Sequence, residues 1–170
     1  MRRKKNEKIL SVTVAGLLEL DFRAPSCDYS TYMKLTNVLT REDLRQVEQM
    51  FRVMCFNVFT HNLDDHTKNF SFLRVNDTWK LAPAYDLTYS DTFFGEHTTS
   101  VNGKGISISD NDLIKVGNDA GLNKLKCKSI IEEIKEKTHE LDQYIYSRAN
   151  TKEKTGKISL EHRIEDLLER

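Results

Sequence analysis

Leu44, Val47, Phe51, Met54 and Val58 fall three and four residues apart, the period of an α-helix that turns one stripe toward a core. Thr40 is placed to cap this helix, with Glu42 and Asp43 in its first turn, and the pattern ends near Thr60-His61. Upstream, residues 9 to 22 mix β-branched residues with a leucine-rich half and read as a strand or turn entering a short helix. Pro25 breaks the chain. Tyr32, Met33, Leu35 and Val38 do not alternate, so a second short helix is expected from Ser30, as its cap, to Leu39.

The period changes after residue 69. Phe70-Ser71-Phe72-Leu73-Arg74-Val75 and Trp79-Lys80-Leu81 flank the turn-forming pair Asn76-Asp77, which predicts a β-hairpin whose second strand is stopped by Pro83. Residues 88 to 109 hold Gly95, Gly103 and Gly105 among serines and threonines and read as an irregular surface segment. Asp110 is expected to cap a helix that Gly121 terminates. Residues 122 to 148 predict a long helix with Leu125, Ile130, Ile131, Ile134, Leu141 and Ile145 on its buried side. A polar linker (149 to 157) and a short amphipathic helix (158 to 168) complete the pattern. The fold class is therefore mainly α with a small β-hairpin, α+β. The expected divisions are a basic arm over 1–11, one domain over 12–148, and a linker with a terminal helix over 149–170.

Composition narrows the function. A chain of 170 residues makes about one domain, since domains run to roughly 150 residues. Its 26 Lys and Arg balance 26 Asp and Glu, which argues against direct nucleic-acid binding by bulk electrostatics. Only the start is lopsided, with Arg2, Arg3, Lys4, Lys5 and Lys8 against Glu7, and it reads as a frayed, solvated terminus. Cys27, Cys55 and Cys127 are odd in number and form no Cys-x-x-Cys pair, as expected of reduced, mostly buried thiols in the cytoplasm. The apolar-leaning stretch over 9 to 22 is interrupted by Ser11, Thr13, Glu19 and Asp21. It is shorter than the roughly 18 to 20 apolar residues that span a bilayer. No membrane segment or export leader is expected.

The chemistry concentrates in His61-Asn62-Leu63-Asp64-Asp65-His66-Thr67-Lys68-Asn69, followed after the hairpin by Ala84-Tyr85-Asp86-Leu87. Asp64 and Asn69 lie five apart, as do the catalytic Asp and metal-binding Asn of the kinase pattern H-R-D-x-x-x-x-N. Phosphoryl transfer needs a carboxylate to orient the attacking hydroxyl and hard oxygen ligands for Mg²⁺, which an Asn amide and a second Asp supply. The hairpin turns the chain back so that Asp86 can face the loop, and Lys68 is placed to hold charge developing on the transferred group. Asp65 alone reads as a polar turn residue. A His-dependent metallophosphohydrolase is a third reading of His61, Asp64, Asp65 and His66, but it needs further ligands, and only His97, His139 and His162 remain.

The run from Phe56 to Leu73, with Trp79-Lys80-Leu81-Ala82-Pro83-Ala84-Tyr85-Asp86-Leu87-Thr88 downstream, resembles the HipA-like toxin kinases. The resemblance also takes in Ala15-Gly16-Leu17-Leu18, Asp21-Phe22-Arg23-Ala24-Pro25, Glu96-His97 and Asn102-Gly103-Lys104-Gly105, and so covers roughly residues 12 to 145. It implies the helical C-terminal lobe of a bilobal, kinase-like fold and a serine/threonine protein kinase of a toxin–antitoxin module. It also implies ATP and Mg²⁺ as cofactors, an aminoacyl-tRNA synthetase as the class of substrate, and a small DNA-binding antitoxin as partner. By position, Asp64 corresponds to the catalytic base, Asn69 and Asp86 to the Mg²⁺ ligands, and His66, Lys68 and Tyr85 to residues lining the nucleotide. The motif begins Asn62-Leu63-Asp64 where ordinary protein kinases have His-Arg-Asp.

One half of such an enzyme is not visible. Only Gly16 precedes Asp64, and Gly103-Lys104-Gly105 lies on the wrong side of the loop to serve as a Gly-rich cover for phosphates. The lysines before the motif, at positions 4, 5, 8 and 34, do not follow a glycine loop. The expectation is a catalytic lobe that works with a separately supplied N-lobe and is weak or inactive alone, because half of the clamp that holds the reactants is missing. The alternative is a non-catalytic module that binds an antitoxin-like partner or a nucleotide.

Overall fold

The computed structural model describes residues 3–4, 7–21, 27–90 and 95–152. Two short strands, β1 (Arg3–Lys4) and β2 (Glu7–Lys8), pair antiparallel, so these four residues are paired where a frayed terminus was expected. Next come β3 (Ser11–Thr13), α1 (Val14–Leu18), α2 (Tyr29–Leu39) and α3 (Leu44–Phe59). The hairpin strands β4 (Ser71–Val75) and β5 (Thr78–Leu81) follow, then α4 (Asp110–Asp119) and α5 (Lys124–Lys152).

The hairpin forms where the pattern placed it. Asn76 and Asp77 both take positive φ (49° and 58°), as a two-residue hairpin turn requires, and Asn and Asp tolerate that region better than other side chains. The sheet is larger than the hairpin. β3 pairs antiparallel with β4 (Val12 opposite Phe72, Thr13 opposite Ser71), giving the order β3-β4-β5. A three-residue strand carries too little alternation to be seen in advance.

Three helix caps differ from expectation for one reason: an Asp or Ser one to three residues from the predicted cap has the extended backbone that a capping side chain needs. Asp28, rather than Ser30, caps α2 and accepts from the Ser30 N–H at 2.8 Å. Asp43, rather than Thr40, caps α3, while Thr40 closes the C-terminus of α2 and donates its hydroxyl to the Thr36 carbonyl. Ser109, rather than Asp110, caps α4 in a reciprocal capping box with Asp112.

The core lies between α2, α3, α4, α5 and the inner face of the sheet. Val47, Phe51 and Met54 of the α3 stripe are fully buried with Met50 and Cys55, and they meet Tyr29, Tyr32, Met33, Phe72, Leu113, Ile130 and Ile131. Cys55 and Cys127 are buried free thiols and Cys27 is half-buried. Leu44 and Leu125, expected inside, are 50% and 81% exposed, each in the first turn of its helix. α4 approaches α3 and α5 so closely that a Cβ on Gly117 would lie 2.6 Å from Cys127 Sγ and 2.7 Å from the Phe51 ring. The long helix starts at Lys124 and continues to Lys152, past the expected start of the linker. Residues 22 to 26, including Pro25, and residues 153 to 170, with the amphipathic helix expected over 158 to 168, lie outside the described residues. Among the described residues no helix is long and apolar enough to cross a membrane.

Candidate active site

The loop that leaves α3 is held on both sides by backbone hydrogen bonds. Leu63 N donates to Ser90 O (3.1 Å) and Ser90 N to His61 O (3.3 Å), so the segment after Asp86 runs alongside residues 61 to 63. On the other side Thr98 N donates to Leu63 O (2.9 Å). The far end of the loop is tied by α1, whose first-turn N–H groups have no partner within their own helix. Val14 N donates to Phe70 O (2.8 Å) and Ala15 N to Thr67 O (3.2 Å). This is a physical use for Val14-Ala15: a short helix start that anchors the loop, while the Gly16 N–H bonds to the Thr13 cap (3.1 Å).

Within the loop, Asn69 Nδ2 donates to the Asp64 carbonyl (2.8 Å) and Asn69 N to the His66 carbonyl (2.9 Å), closing a compact turn. The Asp64 carboxylate is 56% exposed, with His66 Nε2 4.0 Å from it. Lys68 is exposed, and its carbonyl accepts the Tyr85 hydroxyl. Asp86 is exposed and has φ +58°, and its carbonyl accepts from Asn62 Nδ2 (3.3 Å). The six sequence candidates thus meet in two linked pieces, Asp64–Asn69 and Tyr85–Asp86, joined by Tyr85 to Lys68 and by Asn62 to Asp86. Beside them the rings of His61 and Tyr89 stack 5.8 Å apart.

The donor set is all oxygen: two solvent-facing carboxylates and an Asn amide whose nitrogen is already used by the Asp64 carbonyl, leaving Oδ1 as acceptor. That composition fits a hard cation such as Mg²⁺ and not a soft one. Among the described residues no three of His, Cys, Asp and Glu gather as a metal-binding group, so His61, His66 and the two aspartates do not form the cluster a metallophosphohydrolase would need.

Asp65 overturns its reading as a turn residue. It is fully buried; Tyr29 Oη (2.9 Å) and His97 Nδ1 (3.0 Å) meet one carboxylate oxygen and Thr99 N (2.9 Å) the other. Its own carbonyl accepts the Thr99 hydroxyl. Burial, and then the charge of Asp65, hold the Tyr29 phenol well above its ordinary pKa. Two other aspartates grip the next residues. Asp28 accepts from Ser100 Oγ (2.7 Å) and Gly103 N (2.8 Å), and although burial pushes its pKa up, these bonds with those from Ser30 bring it down. Asp112 accepts from Lys104 Nζ (2.8 Å), Ser109 and Asn102 Nδ2 (2.9 Å), and these, Lys104 foremost, hold it far below the usual carboxylate range. The irregular segment expected over 88 to 109 is therefore clamped from residue 97 to 104.

The family description "HipA-like C-terminal domain" matches residues 2–141. The chain belongs to that family. Among solved structures with a similar fold is HipA of a toxin–antitoxin system from Shewanella oneidensis MR-1, determined with HipB and operator DNA. It matches with TM-score 0.65 and 18% identity over 78% of this chain and 37% of that one. The present chain thus spans little more than a third of that relative's length. A comparison with curated proteins gives no match.

Within this HipA-like domain, the residues that sequence reasoning missed are Tyr29, Asn57, Asn62, Asp65, His97 and Thr99. Asn57, Asn62, Asp65 and His97 stand inside the stretches that carried the family resemblance, and that was the signal available. Tyr29 and Thr99 had none, since their place in the site depends on helix packing alone.

Proposed function

We propose that this chain is the catalytic lobe of a kinase that transfers a phosphoryl group from Mg²⁺-ATP to a serine or threonine hydroxyl of a protein, in concert with an N-terminal lobe. The observation that supports this most is the joining of Asp64, Asn69 and Asp86. Asn69 is bonded to the Asp64 carbonyl, and Asp86 is held two residues from Asp64 through Asn62. In this reading Asp64, exposed and beside His66, takes up or orients the proton of the attacking hydroxyl. Asn69 and Asp86 would hold the Mg²⁺, which when bound draws charge off the phosphate oxygens. Lys68 offers a cation to the phosphates, and Tyr85 fixes the backbone of Lys68, with His66 at the rim of the nucleotide. An aminoacyl-tRNA synthetase is the substrate class the family resemblance suggests.

The test is phosphorylation of a serine-containing protein with labelled ATP, by the chain alone and after adding a Gly-rich N-lobe protein encoded beside it. The expected result is weak or no transfer alone, transfer with the N-lobe, and none with Asp64→Ala. Equal transfer by wild type and Asp64→Ala refutes the reading. A second reading, a module that binds an antitoxin-like DNA-binding partner, is favoured by the relative determined with HipB and DNA. Partner binding that survives Asp64→Ala combined with Asp86→Ala, in a chain without transferase activity, supports it.

A further inference from the structure

A continuous chain of hydrogen bonds, buried from Asn62 to Asp65, joins the two pieces of the candidate site from behind. From the Asp86 carbonyl it passes to Asn62 Nδ2 (3.3 Å), which also donates to Asn57 Oδ1 (3.0 Å). Asn57 Nδ2 donates to the Tyr29 hydroxyl (2.9 Å), and that hydroxyl donates to Asp65 (2.9 Å). Asp65 then receives His97 and the Thr99 amide. Tyr29 and Asp65 are fully buried, Asn57 and Asn62 are each 2% exposed and the His97 side chain 5%, so water has little access to the links between Asn62 and Asp65, while the outer link to Asp86 lies nearer the surface. Asn57 and the Tyr29 hydroxyl each act as donor and acceptor, whereas Asn62 donates twice from Nδ2 and its Oδ1 is buried without a partner.

We propose that Asn62, Asn57, Tyr29 and Asp65 are positioning residues that set the Asp86 segment and the 97–99 segment in one register against the Asp64 loop. They touch neither nucleotide nor phosphate in the reading above, on which their role toward the metal rests. α2 supplies Tyr29 and α3 supplies Asn57, so the register of the site is referred to two helices that pack in the core beneath it. A polar chain in low dielectric is strong when complete and costly when interrupted, because each orphaned group stays desolvated. Loss of one middle link should loosen both ends together.

The test uses Tyr29→Phe, which keeps the ring in its edge-on contacts with Tyr32 and Phe70 and removes only the hydroxyl. Amide hydrogen exchange is followed at Ser90 and Thr99, with Cys127 in α5 as control, and binding of Mn²⁺ with a non-hydrolysable ATP analogue, with the N-lobe protein present, is followed by water proton relaxation. Expected are about tenfold faster exchange at both Ser90 and Thr99, an unchanged Cys127, and about tenfold weaker binding of the Mn²⁺–nucleotide, one hydrogen bond's worth at each readout. Faster exchange at Thr99 alone, or an equal rise at all three amides, overturns the proposal. Faster exchange at both amides in Tyr29→Phe, with a wild-type chain that takes up no Mn²⁺–nucleotide even when the N-lobe protein is present, leaves the coupling standing and sinks the kinase reading. The reverse result, wild-type binding that Tyr29→Phe does not alter with Ser90 exchange unchanged, sinks the coupling alone. If Tyr29→Phe does not fold, the wild-type chain decides: Ser90 and Thr99 opening with one denaturant dependence supports the coupling, and separate dependences overturn it.

Discussion

Asp64 and Asp65 are neighbours of the same residue type in one loop, yet one is 56% exposed and the other fully buried. The fold places the two neighbouring side chains in opposite surroundings, one in solvent and one in the core. Asp64 faces the solvent beside His66, where a carboxylate can change partners during a reaction. Asp65 faces Tyr29, His97 and Thr99 and spends its charge on fixed donors. The pair teaches that an acidic cluster in a motif divides by direction into a face that can react and a face that holds the first in place.

The sharpest way to break this comparison is to remove each carboxylate in turn. Asp65→Ala leaves a phenol, an imidazole and an amide N–H buried without their acceptor. It should cost about 3 kcal/mol or more in urea unfolding. A cost below about 1 kcal/mol would mean that the buried carboxylate is not the hub its bonds describe.

Gly117→Ala tests whether the helices under the loop are as close as the packing requires. Its methyl would meet Cys127 and Phe51, and a loss of about 1 to 3 kcal/mol is expected. A neutral outcome would show that the support yields, and that the inward side owes its precision to hydrogen bonds alone.

The clamp on residues 100 to 104 predicts a pH dependence. Asp28 and Asp112 have pKa values lowered by folding, so their contribution is fully present above the ordinary carboxylate pKa of about 4 and is lost as pH falls through the lower folded values. Asp112→Asn should therefore flatten the fall in stability below about pH 4, measured as unfolding midpoint against pH. An unchanged slope would remove Lys104 and Asn102 from the account.

The smallest effect on stability belongs to the outward carboxylate. Asp64→Ala should stay within about 0.5 kcal/mol of wild type while abolishing phosphoryl transfer in the presence of the N-lobe. Destabilisation comparable to that of Asp65→Ala would erase the distinction between the two sides.

Much of the fold was legible because the α3 stripe and the paired runs around Asn76-Asp77 repeat at fixed periods that a chain must satisfy locally. The caps were displaced by one to three residues, since Ser30 against Asp28 and Thr40 against Asp43 are decided by backbone angles that composition does not reveal. The candidate site was legible as residue types at a spacing, Asp64 with Asn69 and Asp86. Its inner half was not: Tyr29 and Thr99 lie 36 and 34 positions from Asp65 and meet it only after α2 has packed on α3 and the 97–99 segment has returned.

By itself the order of residues determined which helices and turns form and which oxygen donors stand five apart, because those are short-range matters of period, capping and turn geometry. The tertiary structure alone decided which of two adjacent aspartates meets water and what the other binds. That outcome depends on the long-range packing of two helices against a loop, and on the rule that a charge removed from water must find its partners wherever the fold has brought them.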